Sequence, residues 1–266
     1  MLIKEYRIVM PLSLQEYQIG QLYTTIEASK LETGGGEGIE VLVDEPFEGI
    51  PLLGGKYTSG NYTKKRYHLS QRIPSKLRFM LPKTSLEFVE EAWNAYPYCK
   101  TLITNPNGFR NLSIQIESMH VEGSTVDDNI LQLPPEILRE REVVEIDIAN
   151  DPFPKCRTHN PQTYVMRKRN RGPLAADWIK TTTPLMTCVK LVSVDFSVFG
   201  LQSHIENFLQ GIEKNIFLKF SRQVWCLADE WIDLNLEQVR QLELKSKWDL
   251  DEMRTTGAAR VNSDSS

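Results

Sequence analysis

Residues 186–198 read MTCVKLVSVDFSV, and the alternation of their side chains predicts a long β-strand. Successive side chains of a strand point to opposite faces of its sheet. One face is the wetter one, because it ends in Ser193, Asp195 and Ser197. The other face carries Cys188, Val192, Val194 and Phe196, with Lys190 among them. The pattern therefore predicts a lysine that points into the protein, where an ammonium group needs a polar partner.

The segment at residues 60–69, GNYTKKRYHL, repeats this feature. In an extended strand, Thr63 and Lys65 share one face, and Lys64 lies on the opposite face. The face of Thr63 and Lys65 also ends in the more apolar residues, Tyr67 and Leu69. We therefore expect Lys65 on an inner face as well.

Two predicted helices carry carboxylates in comparable positions. Residues 201–231 have an amphipathic pattern, and Glu213 lies at the edge of its apolar stripe. Residues 236–253 form the second pattern, in which Glu243 occupies the middle of the seam formed by Leu236, Val239 and Leu250. The stripe of the first helix consists of Ile205, Leu209, Ile212, Ile216, Phe220 and Leu227.

Each of these four ionisable residues has an ordinary explanation. A lysine can extend along its own stem to water, and a glutamate can lie at an exposed rim. Lys190 and Glu213 could also pair as a structural salt bridge. The alternative is an internal cavity for a ligand with anionic and hydroxyl groups, in which cations bind the anion and polar side chains bind the hydroxyls.

The remaining pattern predicts an α+β fold with a largely antiparallel sheet, because most strands come early, the longest helices come late, and no βαβ alternation appears. A capping box at Ser13–Glu16 predicts a helix there, and a second one at Thr84–Glu87 predicts a helix over 85–95. Residues 44–60 are expected to form a loop, and residues 149–185 are rich in proline and polar residues. Further strands are predicted at 2–9, 39–43, 98–104, 111–118 and 143–148.

Composition limits the class of protein. The chain has 266 residues, 41% of them hydrophobic, and a formal net charge of -4, which does not suit a nucleic-acid binder. No apolar run approaches the roughly 20 residues of a membrane span. The cysteines are far apart and lack metal-ligand spacing, so we expect reduced thiols in a cytosolic protein. They are Cys99, Cys156, Cys188 and Cys226.

The sequence contains no catalytic or nucleotide-binding motif. The glycine stretch TGGGEG (33–38) lacks the Gly-Lys-Ser/Thr ending of a phosphate loop, and no G-x-S-x-G segment is present. A hydrolase with Glu213 or Glu243 as general base is the enzymatic alternative. It would have to work with four scattered histidines and no metal cluster. We therefore expect a binding protein without catalytic residues or cofactor.

Several motifs together resemble the phosphatidylinositol transfer proteins, in register from residue 1 to about 254. They include MLIKEYRIVMPLSLQEYQIGQLY (1–23), EEAWNAYPYCKT (90–101), KLVSVDF (190–196) and WCLADEWIDL (225–234), besides the GNYTKKRYHL segment. The ending LDEMR is similar to that of the single-domain class I members, and the amino-terminal domain of a larger multidomain member is the alternative. The resemblance implies a StART-like helix-grip fold over residues 1–254, followed by a flexible polar tail at 255–266. A long curved sheet and long helices would enclose one phospholipid, with the C-terminal helix as a lid.

The resemblance also implies roles for individual residues. Inositol hydroxyls both donate and accept hydrogen bonds, which suits threonine, lysine, amide and carboxylate side chains acting together. The implied inositol contacts are Thr63, Lys65, Asn94 and Glu243. The implied phosphate-side contacts are Gln21, Thr101, Lys190 and Ser118, the last at a position that is usually threonine. Further cavity residues would be Cys99, Asn105, Glu213 and Phe220, and the membrane-docking residues would be Val198 and Phe199.

The implied function is transfer of phosphatidylinositol or phosphatidylcholine between membranes in support of phosphoinositide synthesis and signalling. The protein is expected to be cytoplasmic, to contact membranes transiently and to be a monomer when loaded with lipid. A lipid-sensing adaptor that presents phosphatidylinositol to lipid kinases is the second possibility, since it would use the same cavity.

Two positions depart from the family pattern. Val198-Phe199 stands where members that dock through paired tryptophans carry those residues, so insertion into the membrane there is expected to be weaker. Met166 replaces the regulatory serine, which argues against phosphoregulation at that position. The basic run RKRNR (167–171) either contacts anionic headgroups or forms a solvated loop.

Overall fold

A computed structural model describes residues 1–34, 38–68, 87–107, 112–152, 159–197 and 200–256. Its main element is a mixed sheet of eight strands in the order β2-β3-β4-β5-β6-β8-β1-β7. Each neighbouring pair is antiparallel except β1 with β7. The α+β prediction with a largely antiparallel sheet is confirmed. The strands are β1 (Leu2–Met10), β2 (Gly38–Leu52), β3 (Tyr57–His68), β4 (Glu87–Ala95), β5 (Tyr98–Thr104), β6 (Leu112–Glu122), β7 (Glu142–Ile146) and β8 (Met186–Phe196).

The α-helices of the described part are three long ones and three short ones, and a 3₁₀ turn lies at Arg167–Arg169. The long ones are α1 (Leu14–Glu32), α4 (Gln202–Cys226) and α6 (Leu236–Thr256). The short ones are α2 (Pro135–Glu140), α3 (Trp178–Thr181) and α5 (Ala228–Trp231). The predicted helix over 201–231 is therefore interrupted after Cys226. Helix α6 runs two residues into the segment expected as a flexible tail, and residues from 257 onward lie outside the described part.

Strand β8 lies inside the sheet and pairs along its length with β6 and β1. Val192 and Val194 are buried on one face, and Val189 and Leu191 are buried on the other, so the sheet is covered on both sides. We call the face of Lys190, Val192 and Val194 the inner face. Helix α4 packs on β1 and β8, and α6 packs on β2. The inner faces of β3, β4 and β5 therefore lie between these two helices.

Helix α1 begins where its capping box predicts. The Ser13 hydroxyl accepts from the Glu16 backbone N–H at 3.2 Å, and the Glu16 carboxylate accepts from the Ser13 N–H at 2.9 Å. These bonds satisfy two backbone donors that would otherwise lack partners. Arg171 adds an ion pair to Glu16 at 2.6 Å. The basic run that contains Arg171 is therefore tied to α1 at this end.

The helix predicted over residues 85–95 is wrong, because residues 87–95 form strand β4. Its neighbours explain why, since β4 pairs with β3 on one side and β5 on the other. Glu90 points to the inner face and accepts from Tyr67, whereas Glu91 points to the outer face and accepts from Tyr62. These tertiary contacts favour a strand over the local helix signal. Residues Thr84 to Leu86 of that signal lie outside the described part.

The loop predicted over 44–60 is mostly strand. β2 continues to Leu52 and β3 begins at Tyr57, so only a short turn separates them. Leu53, Gly54 and Gly55 in this turn have positive φ angles, which glycine adopts at little cost. The turn lets two long strands pair and extends the sheet at this edge.

Glycine at position 20 of α1 allows close contact with α5. A Cβ atom at Gly20 would lie 2.7 Å from a ring carbon of Trp231, which is fully buried. A Cβ atom at Gly211 in α4 would meet nothing within 4 Å. The two positions form a matched pair for testing this packing.

We expect Gly20→Ala to lower the free energy of unfolding by about 1–3 kcal/mol, because the added methyl group overpacks the core. Gly211→Ala should raise it by up to about 1 kcal/mol, because alanine favours the helix. Urea unfolding followed by circular dichroism measures both. A Gly20→Ala protein as stable as the wild type would contradict the close contact with Trp231.

Candidate functional site

A row of polar side chains crosses the inner face of the sheet. The strand register pairs Asn94 with Cys99, Cys99 with Ser118, Ser118 with Lys190, and Lys190 with Tyr6. Directly paired residues have Cβ atoms about 4.5–5.5 Å apart. The row therefore brings together four predicted site residues from four different strands.

Two further rows extend this polar surface across β3. Thr63 and Thr101 both pair with Ala92, from its opposite sides. In the next row Lys65 pairs with Glu90. Thr63, Thr101 and Lys65 thus lie on the same face as the first row.

The inner face is apolar beyond these rows and is only partly covered. Cys99, Thr101, Ile103 and Ile116 are half-buried, whereas Val192 is fully buried beneath α4. Burial still raises the pKa of the Cys99 thiol, so protein surrounds that residue. These side chains keep accessible surface although protein surrounds them, which indicates an interior space over β4, β5 and β6.

Lys190 points to the inner face, as predicted. Its ammonium group donates to the Ser118 hydroxyl at 3.3 Å and lies 5.2 Å from the centre of the Phe217 ring. Among the described residues no carboxylate oxygen lies within 4.0 Å of it. The structural salt bridge between Lys190 and Glu213, one of the ordinary explanations, is therefore not formed.

Glu213 is buried on α4 above this polar surface. Its pKa is raised to about 7, mainly by burial. The nearby charge of Lys190 opposes this increase, and the charge of Glu90 adds to it. Burial also raises the pKa values of Tyr6 and Tyr67, and the charge of Glu213 adds to both. A carboxyl group that faces one lysine, one carboxylate and two tyrosines can change its protonation near neutral pH.

Glu90 is a residue that the sequence patterns did not single out. Its carboxylate lies 3.8 Å from the Lys65 ammonium and accepts from the Tyr67 hydroxyl at 2.8 Å. It gives Lys65 an opposite charge on an inner face. Only the strand register, which places the two residues side by side, could have identified it.

Glu243 lies on the inner side of α6. It pairs with Arg240 at 2.6 Å, and its pKa is raised by burial and lowered by Arg240 and Lys65. Val239 and Leu250 are buried on this side as predicted, whereas Leu236 is exposed. Arg240 also was not identified from the sequence.

A cleft of about 570 Å³ opens beside these residues. Gln21 from α1, Asn94 from β4 and Arg240 from α6 all line it. The cleft therefore joins a predicted phosphate-side residue, a predicted inositol residue and the partner of Glu243. Its other lining residues are Gln18, Leu22, Lys56, Tyr57, Thr58, Ser59, Gly60, Asn61, Ala95 and Tyr96.

The buried face of α4 differs from the predicted apolar stripe. Ile216 is half-exposed, while Glu206, Gln210 and Glu213 are buried. Gln210 explains the difference, because it accepts from the Tyr6 hydroxyl at 2.9 Å and donates to two backbone carbonyls. Hydrogen bonds can thus turn a polar face toward the sheet. The half-buried members of the stripe are Ile205, Leu209, Ile212, Phe220 and Leu227.

The other predicted site residues have different positions. Asn105 is buried at the end of β5, and Phe220 packs at the margin of the large core. Cys99 and Cys188 are free thiols, and Cys156 lies outside the described residues. Val198 and Phe199 also lie outside them, so their docking role stays a prediction.

Metal sites and membrane-spanning helices are both missing from the described ranges. No group of three or more acidic, histidine or cysteine residues there could hold a metal ion. In the same ranges, no helix combines the length and apolar character needed to cross a membrane.

Comparison with known proteins identifies the family. Residues 1–247 match the family model described as phosphatidylinositol transfer protein. The chain belongs to this family. It is 44% identical over 255 residues to phosphatidylinositol transfer protein 1 of Dictyostelium discoideum, an alignment that covers 94% of each chain. It is also 44% identical over 271 aligned residues to the human phosphatidylinositol transfer protein beta isoform, covering 98% of each.

Family membership confirms the resemblance seen in the sequence, and the sheet and helices agree with the fold it implied. A second relative from Dictyostelium discoideum, phosphatidylinositol transfer protein 2, is 41% identical over an alignment that covers 94% of this chain. The comparisons match whole chains, so the roles of single residues stay predictions that the geometry above makes specific.

The raised pKa of Glu213 predicts a pH dependence of stability. A glutamate whose pKa is about 7 in the folded protein and 4.5 in water takes up a proton on folding between these values. Its contribution to stability is therefore complete below about pH 4.5 and is lost as the pH rises through 7. Glu213→Gln should become more stable relative to wild type from pH 5 to pH 8, by up to about 3 kcal/mol.

Urea unfolding of both proteins at pH 5 and pH 8 tests this expectation. Glu237→Gln is the control for removal of a carboxylate, because Glu237 is exposed on α6. If the difference between Glu213→Gln and wild type were equal at both pH values, Glu213 would not titrate in this range.

Proposed function

We propose that this protein is a carrier that holds one phosphatidylinositol or phosphatidylcholine molecule in its interior and exchanges it between membranes. The observation that carries the proposal is the polar surface on the inner face, built from five strands and closed by Glu213 on α4 and Glu243 on α6. Membership in a family named for phosphatidylinositol transfer supports it. The bound phospholipid is the only ligand that the proposal requires.

The phosphate group would lie beside Lys190. Among the described residues, this ammonium group has no carboxylate within 4.0 Å, and its hydrogen bond goes to the neutral Ser118 hydroxyl. A phosphate oxygen can accept a charge-assisted hydrogen bond from it. Thr101 in the neighbouring row and Gln21 at the cleft would provide further donors.

The inositol ring would lie between β3 and α6. Lys65 and Glu243 interact electrostatically across this gap, and Thr63 and Asn94 lie on the strands beside it. Glu90 and Arg240 each hold one of the two charges in place. Inositol hydroxyls can accept from lysine and donate to carboxylate, whereas the headgroup of phosphatidylcholine cannot donate a hydrogen bond.

The acyl chains would follow the apolar part of the interior. Ile103 and Ile116 on the sheet and Ile212 on α4 are half-buried, so apolar surface remains for a ligand to cover. Each methylene group moved from water contributes roughly 0.8 kcal/mol. This contribution is shared by both lipids, so it supports affinity and not selectivity between headgroups.

Exchange would require α6 to move, since it closes the headgroup end. The helix packs against α1 and β2, and two of its ion pairs, Lys30–Asp249 and Arg254–Glu40, span 4.0 and 3.9 Å. We propose that residues 1–254 form the transfer domain, that it works in the cytoplasm, and that the loaded form is a monomer. Presentation of the lipid to kinases would use the same site.

Mass spectrometry of lipid extracted from the purified protein tests the function. About one intact phosphatidylinositol or phosphatidylcholine per chain is expected. Rapid appearance of lipid breakdown products on incubation would favour the hydrolase, and absence of any phospholipid would contradict the carrier.

Two substitutions test the inositol contacts. Lys65→Ala and Glu243→Ala should each abolish transfer of phosphatidylinositol between liposomes and spare transfer of phosphatidylcholine, because only the inositol ring needs these groups. Fluorescent or radiolabelled lipids measure both rates in one assay.

The chain offers a matched control for each change. Lys64 neighbours Lys65 but pairs with Glu91 on the outer face, and Glu237 lies on the exposed side of α6. Lys64→Ala and Glu237→Ala should transfer both lipids at wild-type rates. Equal loss of both lipids in Lys65→Ala or Glu243→Ala would reject the assignment of these residues to the inositol ring.

A further inference from the structure

The outer side of α6 carries an apolar pair. Trp248 is 78% exposed and Leu244 is 62% exposed, and they are one helical turn apart. No other large hydrophobic side chain of the described residues is as exposed as these two. Single exposed hydrophobic residues are common, but the two most exposed ones lie side by side on one helix.

The exposure of Trp248 is unusual within this protein. Three of its five tryptophans, Trp178, Trp225 and Trp231, are fully buried, and Trp93 packs against Tyr62 at a ring distance of 5.2 Å. Tryptophan offers a large apolar surface together with a polar N–H group. Such a side chain suits a boundary between water and an apolar phase better than water alone.

The charges around the pair are mainly basic. Lys245 and Lys247 flank Trp248, and neither has a carboxylate within 4.0 Å in the described part of the chain. The nearby acids are largely balanced, since Asp249 lies 4.0 Å from Lys30 and Asp251 lies 3.4 Å from Arg254. The remaining acids on this side are Glu252, one turn beyond Trp248, and Glu237, two turns before Leu244.

We propose that the outer side of α6 docks on an anionic membrane surface. Trp248 and Leu244 enter the boundary between headgroups and acyl chains, while Lys245 and Lys247 contact the anionic headgroups. A helix with an exposed tryptophan, a leucine and neighbouring lysines has the composition of an interfacial membrane contact. This inference rests on the proposed carrier function, which requires the protein to meet membranes.

The position of the pair links docking to the lipid site. Leu244 follows Glu243 directly, so one turn of α6 presents a carboxylate to the headgroup site and an apolar side chain to the outside. A membrane that binds the outer side of α6 would therefore bind this helix at the same turn that contacts the lipid headgroup. Docking at this surface would add to the predicted contact by Val198 and Phe199.

Quenching of tryptophan fluorescence by brominated lipid tests the contact directly. The probe is vesicles of phosphatidylcholine with about 20 mol% phosphatidylserine, prepared with and without dibrominated acyl chains. We expect brominated vesicles to quench part of the wild-type fluorescence, and we expect Trp248→Phe to lose that part. Equal quenching of the two proteins would overturn the proposal.

Vesicle sedimentation measures the contribution to binding. The double variant Leu244→Ala/Trp248→Ala should bind these vesicles at least about tenfold more weakly, because buried apolar surface is lost. Lys245→Gln/Lys247→Gln should lose roughly 30-fold on anionic vesicles, at about 1 kcal/mol per lysine, and little on pure phosphatidylcholine. Val143→Ala is the control, since Val143 is 41% exposed on β7 at the far edge of the sheet and should bind as wild type does.

Two further measurements separate the possible outcomes. Sedimentation velocity without lipid reports the oligomeric state. If the wild type were a dimer that the Trp248 variant could not form, and if both bound vesicles equally, the result would overturn membrane docking in favour of self-association. The variants should contain the same lipid as wild type by mass spectrometry. If all proteins contained lipid but the variants bound vesicles as the wild type does, only the docking proposal would be rejected. If the wild type contained no lipid, the carrier function would be rejected.

Discussion

An ionised side chain on an inner face needs an opposite charge or a hydrogen-bond partner, and this constraint shapes the interior of the protein. Lys65 and Glu90 satisfy it as register partners on adjacent strands, and Glu243 satisfies it through Arg240 within one helix. Lys190 satisfies it only in part, through a neutral serine hydroxyl. The phosphate of a ligand would therefore provide the opposite charge that Lys190 lacks. A lipid without a phosphate would leave the ammonium group without this partner.

Glu213 shows how this constraint bears on loading. The carboxyl group faces Lys190 from α4, and its pKa of about 7 means that both protonation states are accessible under ordinary conditions. A phosphate beside Lys190 would add a negative charge and further favour the protonated form of Glu213. Binding of a phospholipid would then take up a proton, which keeps the number of buried charges nearly constant. The apolar surface of the interior can thus accept the acyl chains without an uncompensated charge among them.

Alternation within single strands was sufficient to predict the inner positions of Lys65 and Lys190, and heptad-like spacing was sufficient for Glu243. Prediction failed where a distant partner decides the structure. The segment around Glu90 has a helix signal, but hydrogen bonds to β3 and β5 make it a strand. Gln210 likewise faces the sheet because Tyr6 and two carbonyls bind it, which no local pattern reveals. Glu90 could be identified as the partner of Lys65 only from the register of the sheet. Arg240 could be identified as the partner of Glu243 only from the side-chain geometry of α6.

Helix α6 closes the lipid site in water and, in the proposed function, moves away from it at a membrane. Its inner side packs through Val239 and Leu250, and the ion pairs that join it to α1 and β2 are partly exposed and long, so each contributes at most about 1 kcal/mol. Apolar contacts have no required direction, and a membrane can replace them as well as protein can. A helix held in this way can leave its place at a bilayer at moderate free-energy cost, while in water the same apolar side keeps it closed. The solvent around α6 would then determine whether the lipid site is open.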